Sequence, residues 1–146
     1  MNNKVLGNNF EQDMCSILAQ HGYWVHFITP DARGAQPFDI VCAKNKIPYA
    51  IECKTLTFSR RYFTIDRLED NQILAFKRWT LCGNGEPIIA VKQDEHIVTF
   101  RYADLINAKK IDMKEFETHK YYEACIGNKT YKVYGVLGAM LYGTYF

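Results

Sequence analysis

The sequence predicts an α/β chain: a mixed β-sheet with helices packed on it. Three observations point there. Phe10, Met14, Ile17 and Leu18 recur at the spacing of one helix face. The text from Tyr23 to Thr55 is rich in β-branched and aromatic residues and breaks into strand-length pieces. A second helical repeat, Leu68, Ile73, Phe76, Trp79 and Leu81, then precedes more strand-like text. Helix, three strands, helix and further strands is the order that gives a mixed sheet with helices laid on it.

Each element has its own local signal. The first helix is expected over about residues 9 to 21, between "NN" and "HG", closed by Gly22. "YWVHFIT" then reads as a strand and "PDARGAQP" as a loop. Residues 39 to 54 form a pair of strands, and "TLTFSRRYFTID" an irregular loop carrying Arg60 and Arg61. The second helix spans about four turns, ends at "GNG" and has Asp66 as its expected cap. "EPIIAVK" and "HIVTFRY" flank the turn "QDE" as a hairpin, while "ADLINAKK" and "DMKEFETHK" read as short helical turns. "YYEACI" and "KTYKVYGV" flank Gly127 and Asn128 as a last hairpin, and "LGAMLYGTYF" takes no assignment.

Bulk properties bound the function classes. A chain of 146 residues with 48% hydrophobic and 14% aromatic content suits one domain, residues 1–146, with 106–146 expected as an extension that packs on it or forms a dimer interface. No apolar run is long enough for a membrane span, and "MNNKVLGNNF" lacks the layout of a secretory signal, so a cytoplasmic protein is expected. The five cysteines are odd in number and scattered, which suits reduced, packed thiols. The four histidines have no metal-site spacing; His21 reads as a polar group closing the first helix. A net charge of +2 leaves nucleic acid open as a partner, because a local basic face can bind phosphate on a nearly neutral protein.

The chemistry is concentrated in "PFDIVCAKNKIPYAIECKT", Pro37 to Thr55. Asp39, Glu52 and Lys54 stand in apolar strands, where an unpaired buried charge is costly. A two-residue turn at Asn45 and Lys46 places Lys44 opposite Ile47 and, carried outward, Asp39 opposite Glu52. By the period of two, Glu52 and Lys54 share the face of Asp39, leaving Ile40, Cys42, Tyr49, Ile51 and Cys53 to fill the other as core. Pro48 is expected to impose a bulge or an edge. Opposed carboxylates repel and call for a cation. Mg²⁺ takes one or two carboxylate oxygens together with substrate phosphate oxygens, and Lys54 is placed to contact a phosphate or the attacking water. The plainer reading is an Asp39–Lys54 ion pair at a sheet margin; the conjunction of all three residues favours the metal.

Acid, twelve residues, acid, one residue, lysine resembles the PD-(D/E)xK nuclease superfamily, whose restriction-endonuclease-like core is an αβββαβ unit with a mixed central sheet flanked by helices. "GNNFEQDMCSILAQHGYWVHFI" with "FDIV" and "IECK" is similar to archaeal and RecU-type Holliday junction resolvases, and "LEDNQILAFKRW" resembles the RecU-type helix after the lysine strand. The likeness covers about residues 7 to 105. It implies Asp39, Glu52 and the Cys53 backbone carbonyl as ligands of Mg²⁺ or Mn²⁺, Lys54 as the group that orients water, and Glu11 and Gln72 as approaches from the two helices. It also implies DNA, branched, as partner and a homodimer as the working form. Phe38 separates Pro37 from Asp39, and "AKNKIP" leaves no room for the RecU-type stalk.

Glu11 has a second reading as the far member of a capping box begun by Asn8, and Gln72 as a solvent-facing amide. Arg60, Arg61, Arg67, Lys77 and Arg78 can grip a DNA backbone or be plain surface charge. The tail aromatics Tyr121, Tyr122, Tyr131, Tyr134, Tyr142, Tyr145 and Phe146 read as core or subunit interface. The function expected is a Mg²⁺-dependent endodeoxyribonuclease acting on Holliday junctions. The alternatives are a restriction- or repair-type endonuclease on duplex or flap DNA, and a non-catalytic DNA-binding protein on a nuclease fold.

Overall fold

The computed structural model describes residues 3–29 and 37–143. Helix α1 (Asn3–Gln20) leads into strands β1 (Trp24–Phe27), β2 (Ile40–Lys44) and β3 (Ile47–Thr55). A short strand β4 (Tyr62–Thr64) and a 3-10 turn (Ile65–Arg67) precede helix α2 (Asp70–Leu81) and the hairpin β5 (Ile88–Gln93) and β6 (His96–Arg101). Helix α3 (Tyr102–Ala108), strand β7 (Lys110–Asp112) and a 3-10 segment (Met113–Thr118) lead to the hairpin β8 (Tyr121–Ile126) and β9 (Lys129–Gly135) and to helix α4 (Val136–Gly143).

Seven strands form one mixed sheet in the order β1-β2-β3-β5-β6-β9-β8, with β3–β5 and β6–β9 parallel. The α1-β1-β2-β3-α2-β5 run is the expected αβββαβ unit, with β4 inserted before α2. Of the residues after 105, those described, 106–143, extend the sheet past β6 through β9 and β8, then lay α4 against it.

The sheet is buried on both faces. On one side α1 brings Phe10, Met14, Ile17 and Leu18 onto Ile40, Cys42, Ile51 and Cys53, and α4 adds Leu137 and Leu141 to the same core over β6, β9 and β8. On the other, Phe63, Leu68, Phe76 and Leu105 cover Ala50, Ile89, Val91 and Val98. The face that carries Glu52 is thus not a free chemical surface: α2 and the β4–β7 ribbon make a second core over most of it. A strand between two helical layers is apolar on both sides, which alternation alone does not reveal.

Several local expectations are corrected. Helix α1 begins at or before Asn3, so Asn8 lies inside it and cannot cap it. Asp66 sits in the 3-10 turn, where its carboxylate accepts from the Thr64 hydroxyl, and α2 is capped at Glu69 instead. The stretch after Thr55 contains β4, paired with β7 through Phe63 and Ile111, a long-range partner that the local text does not announce. "LGAMLYG" is helical despite its glycines, because they let the backbones close: a Cβ on Gly138 would lie 2.3 Å from the Val133 carbonyl oxygen. "PDARGAQP", apart from Pro37, falls outside the described residues, as do Tyr145 and Phe146.

The β2–β3 register follows the expectation. Asn45 and Lys46 both have positive φ, 54° and 69°, the type I′ pattern of a two-residue hairpin. Lys44 pairs with Ile47 and Ile40 with Ile51, so the next position outward faces Asp39 to Glu52. Pro48 makes no bulge. It pairs with Ala43, and its carbonyl accepts from Gly85 N–H at 2.9 Å, so its backbone points away from β2, on a side where β5 has not yet begun.

Candidate active site

The site lies where β2 and β3 part. The ladder ends at the Ile40–Ile51 pair, and Asp39 and Glu52 stand at the next position of the two parting strands, within reach of one another's charge. Asp39 turns its backbone to β1, its carbonyl accepting from Ile28 N–H at 2.7 Å. One residue on, Cys53 directs its N–H toward the space β2 has left, and the Asp39 carboxylate accepts it at 2.8 Å. A strand residue sends N–H and C=O to the same neighbour, so the Cys53 carbonyl faces that space too.

Asp39 and Glu52 are 3% and 2% exposed, which is deep burial for two acids. The Lys54 ammonium stands 3.4 Å from Glu52 Oε2. Gln72 Nε2 donates to the same oxygen at 2.5 Å, while Gln72 Oε1 accepts from Glu69 N–H at 3.0 Å. The amide's orientation is therefore fixed by the first turn of α2: its oxygen is taken by the helix cap, which leaves only its donor for Glu52. Glu52 Oε1 is buried with no hydrogen-bond partner.

Electrostatics agree with the geometry. Burial, then the Asp39 charge, push the Glu52 carboxyl up to about 9 against the opposing pull of Lys54. Glu11 is raised to about 7 by burial and again by Asp39, with Lys54 pulling it down. The coupling places Glu11 within electrostatic reach of the acid pair. Burial and the same acids raise the Cys53 thiol well above its ordinary value. Cys53 is thus an inert packed thiol whose backbone, not its sulfur, meets the site.

The structure brings Glu11, Asp39, Glu52, Lys54 and Gln72 together at one sheet end. Phe10 and Thr55, the sequence neighbours of Glu11 and Lys54, border a groove whose lining also includes the acids Asp13, Asp66, Asp94 and Glu95. Arg60, Arg61 and Arg67 line it, and so do Lys92 and Lys129, which the sequence did not single out. Lys92 carries a readable signal in retrospect, a cation at the end of the apolar run "PIIAV" and paired with Thr55 across parallel strands. Arg61 is engaged by Asp112 at 2.9 Å, and Lys129 by Asp13 at 3.1 Å. Arg67 donates to the Thr55 carbonyl at 2.9 Å. Lys77 and Arg78 lie exposed on α2 and do not line the groove.

The donor set fits a hard divalent cation. Two carboxylates, one with an orphaned oxygen, and a backbone carbonyl are oxygen ligands of the kind Mg²⁺ and Mn²⁺ take while keeping waters. Among the described residues no three His, Cys, Asp or Glu side chains cluster as a metal cage, so protein side chains supply only part of such a shell.

Comparison with known proteins speaks for the fold and the family. Among solved structures, Hjc, a Holliday junction resolvase from the archaeal hyperthermophile Archaeoglobus fulgidus, superposes with a TM-score of 0.54 at 20% identity, over 73% of this chain and 86% of that one. That likeness speaks for the fold. No curated protein sequence matches the chain. A family model described as archaeal Holliday junction resolvase (hjc) matches residues 2–130, from α1 to the start of β9 and through Asp39, Glu52 and Lys54, and on that match the chain belongs to this family.

Proposed function

We propose that this member of the resolvase family is a Mg²⁺- or Mn²⁺-dependent endonuclease that cuts four-way DNA junctions as a homodimer. The observation that carries the reading is the opposed pair Asp39 and Glu52, buried at a strand end with Lys54 beside it and one Glu52 oxygen unpartnered. Asp39, Glu52 and the Cys53 carbonyl would hold the cation, with Glu11 as an approach from α1. When bound, a divalent ion polarises a phosphoryl oxygen and makes a nucleophile of water near neutral pH. Lys54 orients that water and offsets charge building on the phosphate. Gln72 keeps the Glu52 carboxylate in one pose, and Arg60, Arg67 and Lys92 hold flanking phosphates.

The dimer reading has support on α2. Leu74 and Leu81, seven residues apart on one helix face, are 48% and 85% exposed. A two-fold pair supplies one site for each of two strands. Of the tail aromatics, Tyr131 and Tyr134 are buried, whereas Tyr121 and Tyr142 are exposed.

The test is nicking of a four-way junction, a flap, a duplex and a single strand with Mg²⁺ or Mn²⁺. The wild type should prefer the junction, and Asp39→Asn and Lys54→Ala should lose cleavage by orders of magnitude while still binding DNA. Undiminished cutting by either variant would sink the proposal, and equal rates on all four substrates would move it to a general endonuclease.

A further inference from the structure

Phe58 is 83% exposed, four residues beyond Lys54. A lone exposed apolar side chain is ordinary on a protein surface. Its setting is not. Arg60 N–H returns to the Thr57 carbonyl at 3.0 Å, closing a turn with Phe58 at its outer corner. The Gln93 side chain, from the end of β5, braces that turn from beneath: its Nε2 donates to the Thr57 carbonyl at 2.9 Å and to the Arg60 carbonyl at 2.6 Å. Leu56, just before the turn, is buried, with its N–H on the Lys92 carbonyl at 2.9 Å. Thr57, Ser59 and Arg60, on either side of Phe58, line the groove that Phe10 and Thr55 border.

A braced turn therefore carries an aromatic ring into solvent beside a groove whose lining includes Arg60, Arg67 and Lys92 as well as Asp66 and Asp94, and whose border at Phe10 and Thr55 adjoins Glu11 and Lys54 in the chain. Phosphate has no use for such a ring, but a nucleobase presents a flat face to it. In an intact duplex those faces are stacked and closed. At the branch point of a junction they are the most readily opened, because the run of stacked pairs along one duplex is interrupted where the strands exchange. Phe has only two side-chain torsions and its turn is already fixed, so little conformational freedom is lost on contact.

Resting on the nuclease reading above, we infer that Phe58 is a stacking platform for a base unstacked at the branch point, and so a specificity-determining residue for branched over linear DNA. The base packs on the ring while Arg60 holds the adjoining phosphate.

The experiment uses the full-length protein without divalent metal, so that no strand is cut, and a four-way junction with 2-aminopurine either at the branch point or within an arm. Wild type should raise the branch-point fluorescence and leave the arm signal unchanged. Phe58→Ala should abolish the rise and weaken junction binding roughly tenfold, the scale of one lost base–aromatic stack, with duplex binding unchanged. Phe58→Trp should keep both properties, and Phe58→Leu should behave as the alanine variant. Gln93→Leu, which frees the turn, should lose part of the signal. The inference is overturned if Phe58→Ala keeps the rise and the junction preference, or if it weakens junction and duplex alike. Failure of the wild type itself to distinguish a junction from a duplex would overturn the junction reading, and this inference with it. Thermal melts of the Phe58 variants should match wild type, since an exposed ring carries little of the fold.

Discussion

Gln72 donates to Glu52 while its own oxygen is held by the first turn of α2, so the helix cap and the acidic cluster share one side chain. The fold thereby transmits the position of α2 to the carboxylate on β3.

Replacing Gln72 by leucine removes the donor that α2 supplies to Glu52 and leaves Lys54 as the cation beside it. Activity with Mg²⁺ or Mn²⁺ should fall about 10- to 100-fold, as for other groups that orient metal-binding carboxylates. The loss should show as weaker metal affinity in calorimetric titration. Gln72→Glu should do worse, because it adds a third buried acid beside Asp39 and Glu52. Unchanged affinity in the leucine variant would separate α2 from the site.

The raised acids make the metal-free protein sensitive to alkali. A carboxyl whose value is higher in the folded state favours folding fully below its unfolded value, near 4.5, and that contribution is lost as pH rises through the folded value, about 7 for Glu11 and about 9 for Glu52. The melting temperature without metal should therefore decline between pH 5 and pH 9. Mn²⁺ should restore it by an increment that grows with pH, and metal binding at pH 7 should release about one proton. Glu52→Gln should flatten the metal-free profile. Melting curves across that range with and without Mn²⁺, and titrations in buffers of differing ionisation enthalpy, check both points.

The exposed stripe on α2 predicts the assembly state. Leu81→Glu, alone or with Leu74→Glu, should convert a dimer to a monomer in sedimentation measurements without lowering the melting temperature of the monomer, because both side chains lie largely outside the core. Junction cutting should then become uncoupled, with single nicks accumulating in place of paired ones. A dimer that survives both substitutions would move the interface elsewhere.

Much of this arrangement was legible because it is local. The Asn45–Lys46 turn and the alternation around it were enough to oppose Asp39 and Glu52, and the two main helices followed from their apolar periods. What escaped depends on distant chain. The second core over the Glu52 face needs Phe63, Leu105 and Met113, which arrive from separate segments. The link from Asp13 to Tyr131, whose hydroxyl donates to that carboxylate at 2.7 Å, joins α1 to β9 and has no trace in either segment alone. Glu11 was ambiguous for a similar reason: its second reading rested on a helix starting near Asn8, whereas α1 starts earlier.

The two-residue turn at Asn45 and Lys46 has a meaning beyond its own backbone. It lies six residue pairs from the acids, roughly 20 Å along the ribbon at the usual rise per strand residue. Nothing in it touches substrate, yet it is the ruler against which the acids are set. A one-residue slip of the strands about this turn would carry one acid to the opposite side of the sheet while leaving every side chain of the candidate site in the sequence. The register that this turn sets, chemically silent itself, is therefore as much a part of the candidate site as the acids are.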